Sequence, residues 1–305
     1  MTTGAPPPPI DPLRVDGSGG YHDTVVAVTR GGFVPGHAVR TASFAFWVDH
    51  ERVHLVHDLP DELIDNDLAG LVAGELFAPG WLEGSELFER LMTGLVVSAA
   101  PDPLAAWTLF YRNTLARLTA LAAGGVATPT LAPSSLVEGS LAGYAPVYAH
   151  AHTLIGPGSL LELGSCFGFF SLLSAAHLTV TASDLTPNTV RLLSRVAPRL
   201  GLRLGTLICD AARVPRPDAS FDTVAALHLL EHLPPEHGAA VIAEMQRLAR
   251  RRVVVAVPFE DEPTAAYGHV RVFTREILQE MGAASGWHWD VHDHHGGWLV
   301  LDRPR

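Results

Sequence analysis

The chain carries 16 histidines, and two of them stand where a proton could be moved. His228 follows the apolar run Phe221 to Leu227 and so marks the carboxyl end of a strand, the edge at which open α/β sheets bind ligands. His269 lies in Tyr267-Gly268-His269-Val270-Arg271-Val272-Phe273, a loop that follows the next apolar run, Val253 to Val257, and can fold across the same edge. Near neutral pH an uncharged imidazole is the side chain best suited to take a proton from a weakly nucleophilic hydroxyl. His228 is the first candidate for such a base and His269 the second. The competing reading of His228 is a residue that lines a bound cofactor. Glu231 and His232 are read as orienting the loop through hydrogen bonds.

His228-Leu229-Leu230-Glu231-His232 also fits the H-x-x-E-H pattern of inverted zinc metallopeptidases. That chemistry needs all five residues on one helix, with a third ligand farther on. Here His228 ends a strand and Pro234-Pro235 follow closely, which argues against a continuous helix. His288, Asp290, His292 and His294 alternate with Trp287, Trp289 and Val291, so the polar four share one strand face. A divalent metal there is one reading and an exposed edge strand the other; hard Mg²⁺ prefers oxygen to imidazole. No metal ligand is assigned from the sequence.

The second chemical signal is glycine. Leu160 to Phe170 reads Leu-Leu-Glu-Leu-Gly-Ser-Cys-Phe-Gly-Phe-Phe, an apolar run broken by Gly164 and Gly168 that then resumes. Such a run predicts a strand, a tight turn and a helix, with backbone able to approach a nucleotide-like molecule closely. Leu178 to Ser183 is a second strand, ending at Asp184, whose carboxylate can chelate both hydroxyls of a ribose. A dinucleotide fingerprint would place glycine where Cys166 stands, and no basic residue is near, so NAD and NADP are not expected to bind.

This turn resembles the first motif of the class I S-adenosylmethionine-dependent methyltransferases, in which an acid, Gly-x-x-x-Gly and a later strand-end acid hold the methionine and ribose parts. Thr206 to Cys209 is a third strand ending in Asp210-Ala211-Ala212, similar to the family's adenine-binding turn. Ser220 to His232 resembles the fourth strand and its turn, and Val253 to Val257, ending at Pro258, the fifth. Thr274 to Ala284 reads as a helix with Thr274 as N-cap, and Trp287 to His294 with Trp298 to Leu301 as an antiparallel hairpin. The resemblance covers about Ser140 to Asp302.

It implies an α/β fold, a Rossmann-like doubly wound methyltransferase sheet of seven strands in the order 3-2-1-4-5-7-6, with an N-terminal α+β region. It implies S-adenosyl-L-methionine as cofactor and S-adenosyl-L-homocysteine as product. The implied contacts come from Glu162, Gly164, Ser165 and Gly168 in the first turn, and from Asp184 and Leu185 after the second strand. Asp210 and Ala211 would read the purine edge, and Leu227 ends the fourth strand.

Three regions position these residues. Met1 to Leu13, with prolines at 6–9, reads as a leader without a core, and residues 1–20 are assigned to it. Over 21–139 an α+β region is expected. Its strands are Thr24 to Thr29, Thr41 to Val48 and Val53 to His57, the last two joined by a hairpin turn at Asp49-His50-Glu51-Arg52. Its helices are Asp61 to Phe77, Ser85 to Val97 and Pro103 to Ala122, the last opened by Asp102 as N-cap. Ala123 to Gly139 is a Gly/Pro/Ser-rich linker, and 140–305 forms the cofactor domain. That domain opens on a helix over Leu141 to Leu154, where Tyr144, Tyr148 and His152 share a face that either walls the active site or packs.

Composition narrows the partners. A net charge of −11, from 21 basic against 32 acidic residues, leaves no basic footprint for nucleic acid. The two cysteines, Cys166 and Cys209, indicate no disulfide framework. No signal-peptide pattern is present and no apolar run reaches the roughly 20 residues that cross a bilayer, so a cytoplasmic protein without membrane insertion is expected. Trp47, Trp81, Trp107 and Tyr111 suit a carbohydrate or another neutral ligand, with core packing as the alternative.

Thr24 to Asp102, with Phe33-Val34-Pro35-Gly36-His37, Trp47-Val48-Asp49 and Ile64-Asp65-Asn66-Asp67-Leu68-Ala69-Gly70, resembles the actinobacterial mycofactocin oligosaccharide methyltransferases. These modify a glucose hydroxyl on the β-1,4-linked sugar tail of a peptide-derived redox cofactor, which implies a small glycosylated acceptor. A methyltransferase for a lipid, quinone or polyketide would need an apolar acceptor pocket instead. A non-catalytic cofactor-binding protein would show no turnover.

Overall fold

The computed structural model describes residues 7–14, 19–125, 140–264 and 268–304. Expectations for residues 1–6 and 15–18 of the leader, 126–139 of the linker and Tyr267 lie outside the described residues. The chain divides into two compact units, Met1–Tyr144 and Ala145–Arg305.

In the first unit, β1 (Gly20–His22), β2 (Val26–Arg30), β3 (Val39–Arg40), β4 (Phe44–Asp49) and β5 (Arg52–His57) form a sheet in the order β1-β2-β5-β4-β3. The β4–β5 hairpin turns at His50 and Glu51, both with positive φ (46° and 65°), the mirror-image geometry that matches strand twist. The continuous helix expected over Asp61 to Phe77 is instead broken into a 3-10 turn (Asp61–Leu63), α1 (Leu68–Val72) and a π turn (Ala73–Phe77). Asp65 explains the break: its carboxylate accepts from the Asp67 amide (2.8 Å) and pairs with Arg117 (2.9 Å), so it competes with helical backbone bonding.

Helices α2 (Ser85–Val97) and α3 (Pro103–Ala122) run as the sequence predicts, with the Asp102 side chain accepting from the Leu104 and Ala105 amides. Arg90 on α2 is buried and bridges Asp23, Glu86 (2.6 Å) and the Pro8 carbonyl (2.6 Å). Trp107 and Tyr111 are core residues on α3, so their aromatic faces serve packing. Trp81 is 55% exposed, and Trp47 stacks on His54 at 4.9 Å. Of the four aromatics, these two keep surface that a ligand could use.

Helix α4 (Leu141–Leu154) crosses the division between the units. The second unit then alternates strands and helices: β6 (Ser159–Leu163), α5 (Phe169–Ser174), β7 (Thr179–Asp184), α6 (Pro187–Arg199), β8 (Gly205–Ile208), β9 (Phe221–Leu227), α7 (Pro235–Leu248), β10 (Ala249–Val257), α8 (Arg275–Ala284), β11 (His288–Asp293) and β12 (Gly297–Asp302). Read from the β8 edge, the sheet runs β8-β7-β6-β9-β10-β12-β11. This is the expected 3-2-1-4-5-7-6 order, parallel from β8 to β10 and antiparallel at β12 and β11.

Both faces of the sheet are buried, which is why its central strands are predominantly apolar rather than alternating. Leu161, Val224 and Val253 point into one core and Leu160, Ala225 and Val254 into the other. On α4, Tyr148 and His152 lie against Phe170 (5.6 and 4.9 Å between centroids), and His152 Nε2 lies 3.0 Å from Ser174 Oγ. Packing therefore accounts for that part of the helix face. No described helix is long and apolar enough to cross a membrane.

Candidate functional site

The carboxyl ends of β6, β7 and β8 make the first half of the site. Gly164 and Gly168 have φ of 68° and 73°, and an added Cβ would come within 2.6 Å of Leu229 and 2.5 Å of Leu193. Glycine is required here by backbone conformation and packing together. The Ser165 amide bonds the Ser183 carbonyl (2.9 Å) and the Gly168 amide bonds the Ser165 carbonyl (2.7 Å), closing the turn. Ser165 is buried, and its hydroxyl has no partner among the described residues, the condition of a group awaiting a ligand.

Asp184 accepts from the Cys166 amide through Oδ2 and from the Thr186 amide through Oδ1, both at 2.9 Å. Each carboxylate oxygen keeps further acceptor capacity, which two ribose hydroxyls would use. Leu185 beside it is 71% exposed, an apolar surface suited to a purine face. Asp210 is held through Oδ1 by the Ala212 amide (2.9 Å) and by His237 Nε2 (3.0 Å). Cys166 and Cys209 are free thiols.

Two of the residues named for cofactor contact lie deeper. Glu162 is 4% exposed, its carboxyl accepts from the Ser171 hydroxyl, and burial raises it to about 7. Leu227 is a core side chain.

The ends of β9 and β10 make the second half. His228 adopts φ 53°, an uncommon conformation for a residue other than glycine, and its amide bonds the Ala256 carbonyl (2.9 Å). Burial, followed by the neighbouring His269 and His232 rings, lowers the imidazole to about 4. Glu231 and His232 sit on a 3-10 turn (Leu230–His232), so no continuous helix carries the H-x-x-E-H residues. The expected loop-orienting hydrogen bond of Glu231 comes from its backbone carbonyl, which accepts from the Val270 amide, and not from its side chain. The carboxyl is fully buried without a hydrogen-bond partner among the described residues, and burial raises it to about 8.

The loop after β10 is docked through the Glu231 backbone, whose carbonyl accepts from the Val270 amide (2.9 Å), and His232 Nδ1 lies 3.3 Å from the Gly268 carbonyl. His269 thereby reaches the β9 turn, with Nδ1 2.7 Å from Glu260 Oε2. Sequence reasoning missed Glu260, which stands only two residues beyond the strand-ending Pro258. On β11, an edge strand, His292 Nδ1 lies 2.7 Å from Asp290 Oδ2 and its Nε2 2.8 Å from His150 Nε2.

Residues 160–252 match the family model described as a methyltransferase domain. The match lies within the second unit and supports a methyltransferase function there, with S-adenosyl-L-methionine as cofactor. No curated protein matches the chain. Among solved structures, the chain is similar to the YcgJ protein of Bacillus subtilis (17% identity, 49% of this chain and 71% of that one, TM-score 0.43). It is also similar to a SAM-dependent methyltransferase from Aquifex aeolicus (14%, 50% and 86%, TM-score 0.42). A third is the magnesium protoporphyrin IX methyltransferase of Synechocystis with bound SAH (18%, 53% and 80%, TM-score 0.41).

Proposed function

We propose that the chain O-methylates a sugar hydroxyl of a small glycosylated molecule, with the mycofactocin oligosaccharide as the specific acceptor. The cofactor domain runs over 140–305 and an N-terminal α+β region over 21–139. The observation that carries the reading is the gathering of His228, His232 and His269 at the sheet edge beside the Asp184–Ser165 turn. An aliphatic hydroxyl needs a proton acceptor, whereas an amine needs little beyond placement.

Bound in the turn, S-adenosyl-L-methionine supplies an electrophilic methyl group. Asp184 would hold its ribose hydroxyls, the Ser165 hydroxyl would gain a partner, Leu185 would cover the purine, and Asp210 with the Ala211 amide would read the purine edge. His228 would receive the acceptor's hydroxyl proton at a ring nitrogen as the new C–O bond forms and the methyl–sulfur bond breaks, with S-adenosyl-L-homocysteine as the leaving group. The test is incubation of the purified chain with labelled cofactor and a β-1,4-glucan-bearing acceptor, followed by identification of the labelled position. Label on a glucose oxygen supports the reading, and label on nitrogen or carbon refutes it.

Phe259 and Val270, 38% and 56% exposed on the loop after β10, favour a second reading in which the acceptor is a lipid, quinone or polyketide. Turnover of an apolar acceptor in place of the glucan would establish it, and no turnover with any acceptor would leave a cofactor-binding protein.

A further inference from the structure

Glu231 is the feature that methyl transfer leaves without a role. Its carboxyl is fully buried, neither oxygen has a hydrogen-bond partner among the described residues, and the nearby His228 Nδ1 stands 3.7 Å away. A buried carboxyl without donors is a costly arrangement that folds tolerate where a further group completes it. Two imidazoles face it: one ligand atom from each of Glu231, His232 and His269 lies within 4.8 Å of the other two.

The supporting shell is present as well. Glu260 Oε2 holds His269 Nδ1 at 2.7 Å and the Thr264 hydroxyl donates to the same carboxyl through Oε1, so the orientation of the ring is fixed. A carboxylate on one nitrogen of a ligating imidazole is the usual device for setting ring orientation and basicity.

We propose that Glu231, His232 and His269 form a binding site for a first-row divalent transition ion of the zinc class, with Glu260 as its positioning residue. Two imidazoles and one carboxylate select such an ion over Mg²⁺ or Ca²⁺, which take oxygen ligands. Three protein ligands leave a coordination position open, the pattern of catalytic rather than structural zinc. The site differs from the peptidase pattern because Glu231 and His232 are adjacent on a 3-10 turn and the third ligand arrives from the loop beyond β10. Resting on the sugar-hydroxyl reading, the open position is where the acceptor oxygen sits, its proton made more acidic by the ion. Binding of the ion does not depend on that reading.

The test uses the full chain stripped with a chelator, titrated with Zn²⁺ alone by calorimetry and with Co²⁺ by visible absorption. One ion per chain is expected, with Mg²⁺ unable to compete. His269→Ala and Glu231→Gln should each weaken Zn²⁺ binding by about 100-fold or more, and Glu260→Gln by about 10–100-fold. His292→Ala, in the separate cluster with His150 and Asp290, should leave it unchanged. Absence of stoichiometric binding overturns the site, as does unchanged affinity in folded His269→Ala and Glu231→Gln, or a loss confined to His292→Ala. S-adenosyl-L-homocysteine titrated into the same stripped protein separates the two ideas. Its binding without zinc binding refutes only the metal site, and zinc binding without it refutes only the transfer reading.

Discussion

The two halves of the sheet's carboxyl edge solve the problem of polar groups in opposite ways. After β7 and β8, Asp184 and Asp210 are exposed enough to meet a ligand and are already steadied by backbone amides. After β9 and β10, Glu231 is enclosed without donors and His228 is packed where burial opposes its charge. The same contrast separates two buried carboxyls. Glu162 has the Ser171 hydroxyl, whereas Glu231 has no hydrogen-bond donor among the described residues. A steadied group holds a ligand by shape; a destabilised one is available for chemistry.

The largest effect should come from the second half. His228→Ala is expected to slow the chemical step by roughly 10²–10⁴-fold, with cofactor affinity nearly unchanged. Single-turnover rates beside calorimetry on the same variant check this. Equal losses in both would make His228 a lining residue rather than the base.

Next in size is a pH effect that sets the frame of the second unit against the first. Glu162, raised to about 7 by burial, keeps its proton in the fold. Its stabilisation is full below about 4.5, the unfolded value, and is lost as pH rises through 7, by about 3 kcal/mol at most. His57 in the first unit is lowered to about 4 by burial and then by Arg30, with Nε2 2.9 Å from Ser98 Oγ. Its contribution is full above about 6.5 and is lost as pH falls through 4, by a similar amount. Against the parent, melting curves from about pH 4 to 8 should show Glu162→Gln losing a fall in stability with rising pH between about 4.5 and 7, and His57→Gln losing an opposite fall with falling pH between about 6.5 and 4; differences from the parent that do not vary with pH would show that these groups are not what titrates.

A smaller effect tests the first half's frame. Gly168→Ala must accept a positive φ and displace Leu193, and should cost about 1–3 kcal/mol in chemical denaturation. A fully stable variant would mean that the turn relaxes and that the glycine serves cofactor approach alone.

The first half was legible in the sequence because its turns demand particular residue types at short spacings, so Gly164, Gly168, Asp184 and Asp210 could be named from local pattern. The helices capped by Asp102 and Thr274 were legible for the same reason. The second half was only partly so. His228 and His269 stood out as strand-end and loop residues, but the meeting of Glu231 with His269 depends on how the loop beyond β10 docks, which no local pattern encodes. The broken helix at 61–77 failed similarly, since apolar periodicity does not reveal that Asp65 will be claimed by Arg117 and the Asp67 amide.

The central claim, that the turns after β6 and β7 cradle S-adenosyl-L-methionine, is tested most directly by titrating S-adenosyl-L-homocysteine into the full chain and into Asp184→Ala. Binding should raise the melting temperature of the parent chain, and the variant should lose about 1.5–3 kcal/mol for each charge-assisted bond removed. A larger melting shift with NAD than with S-adenosyl-L-homocysteine, or unchanged affinity in a folded Asp184→Ala, would contradict the account.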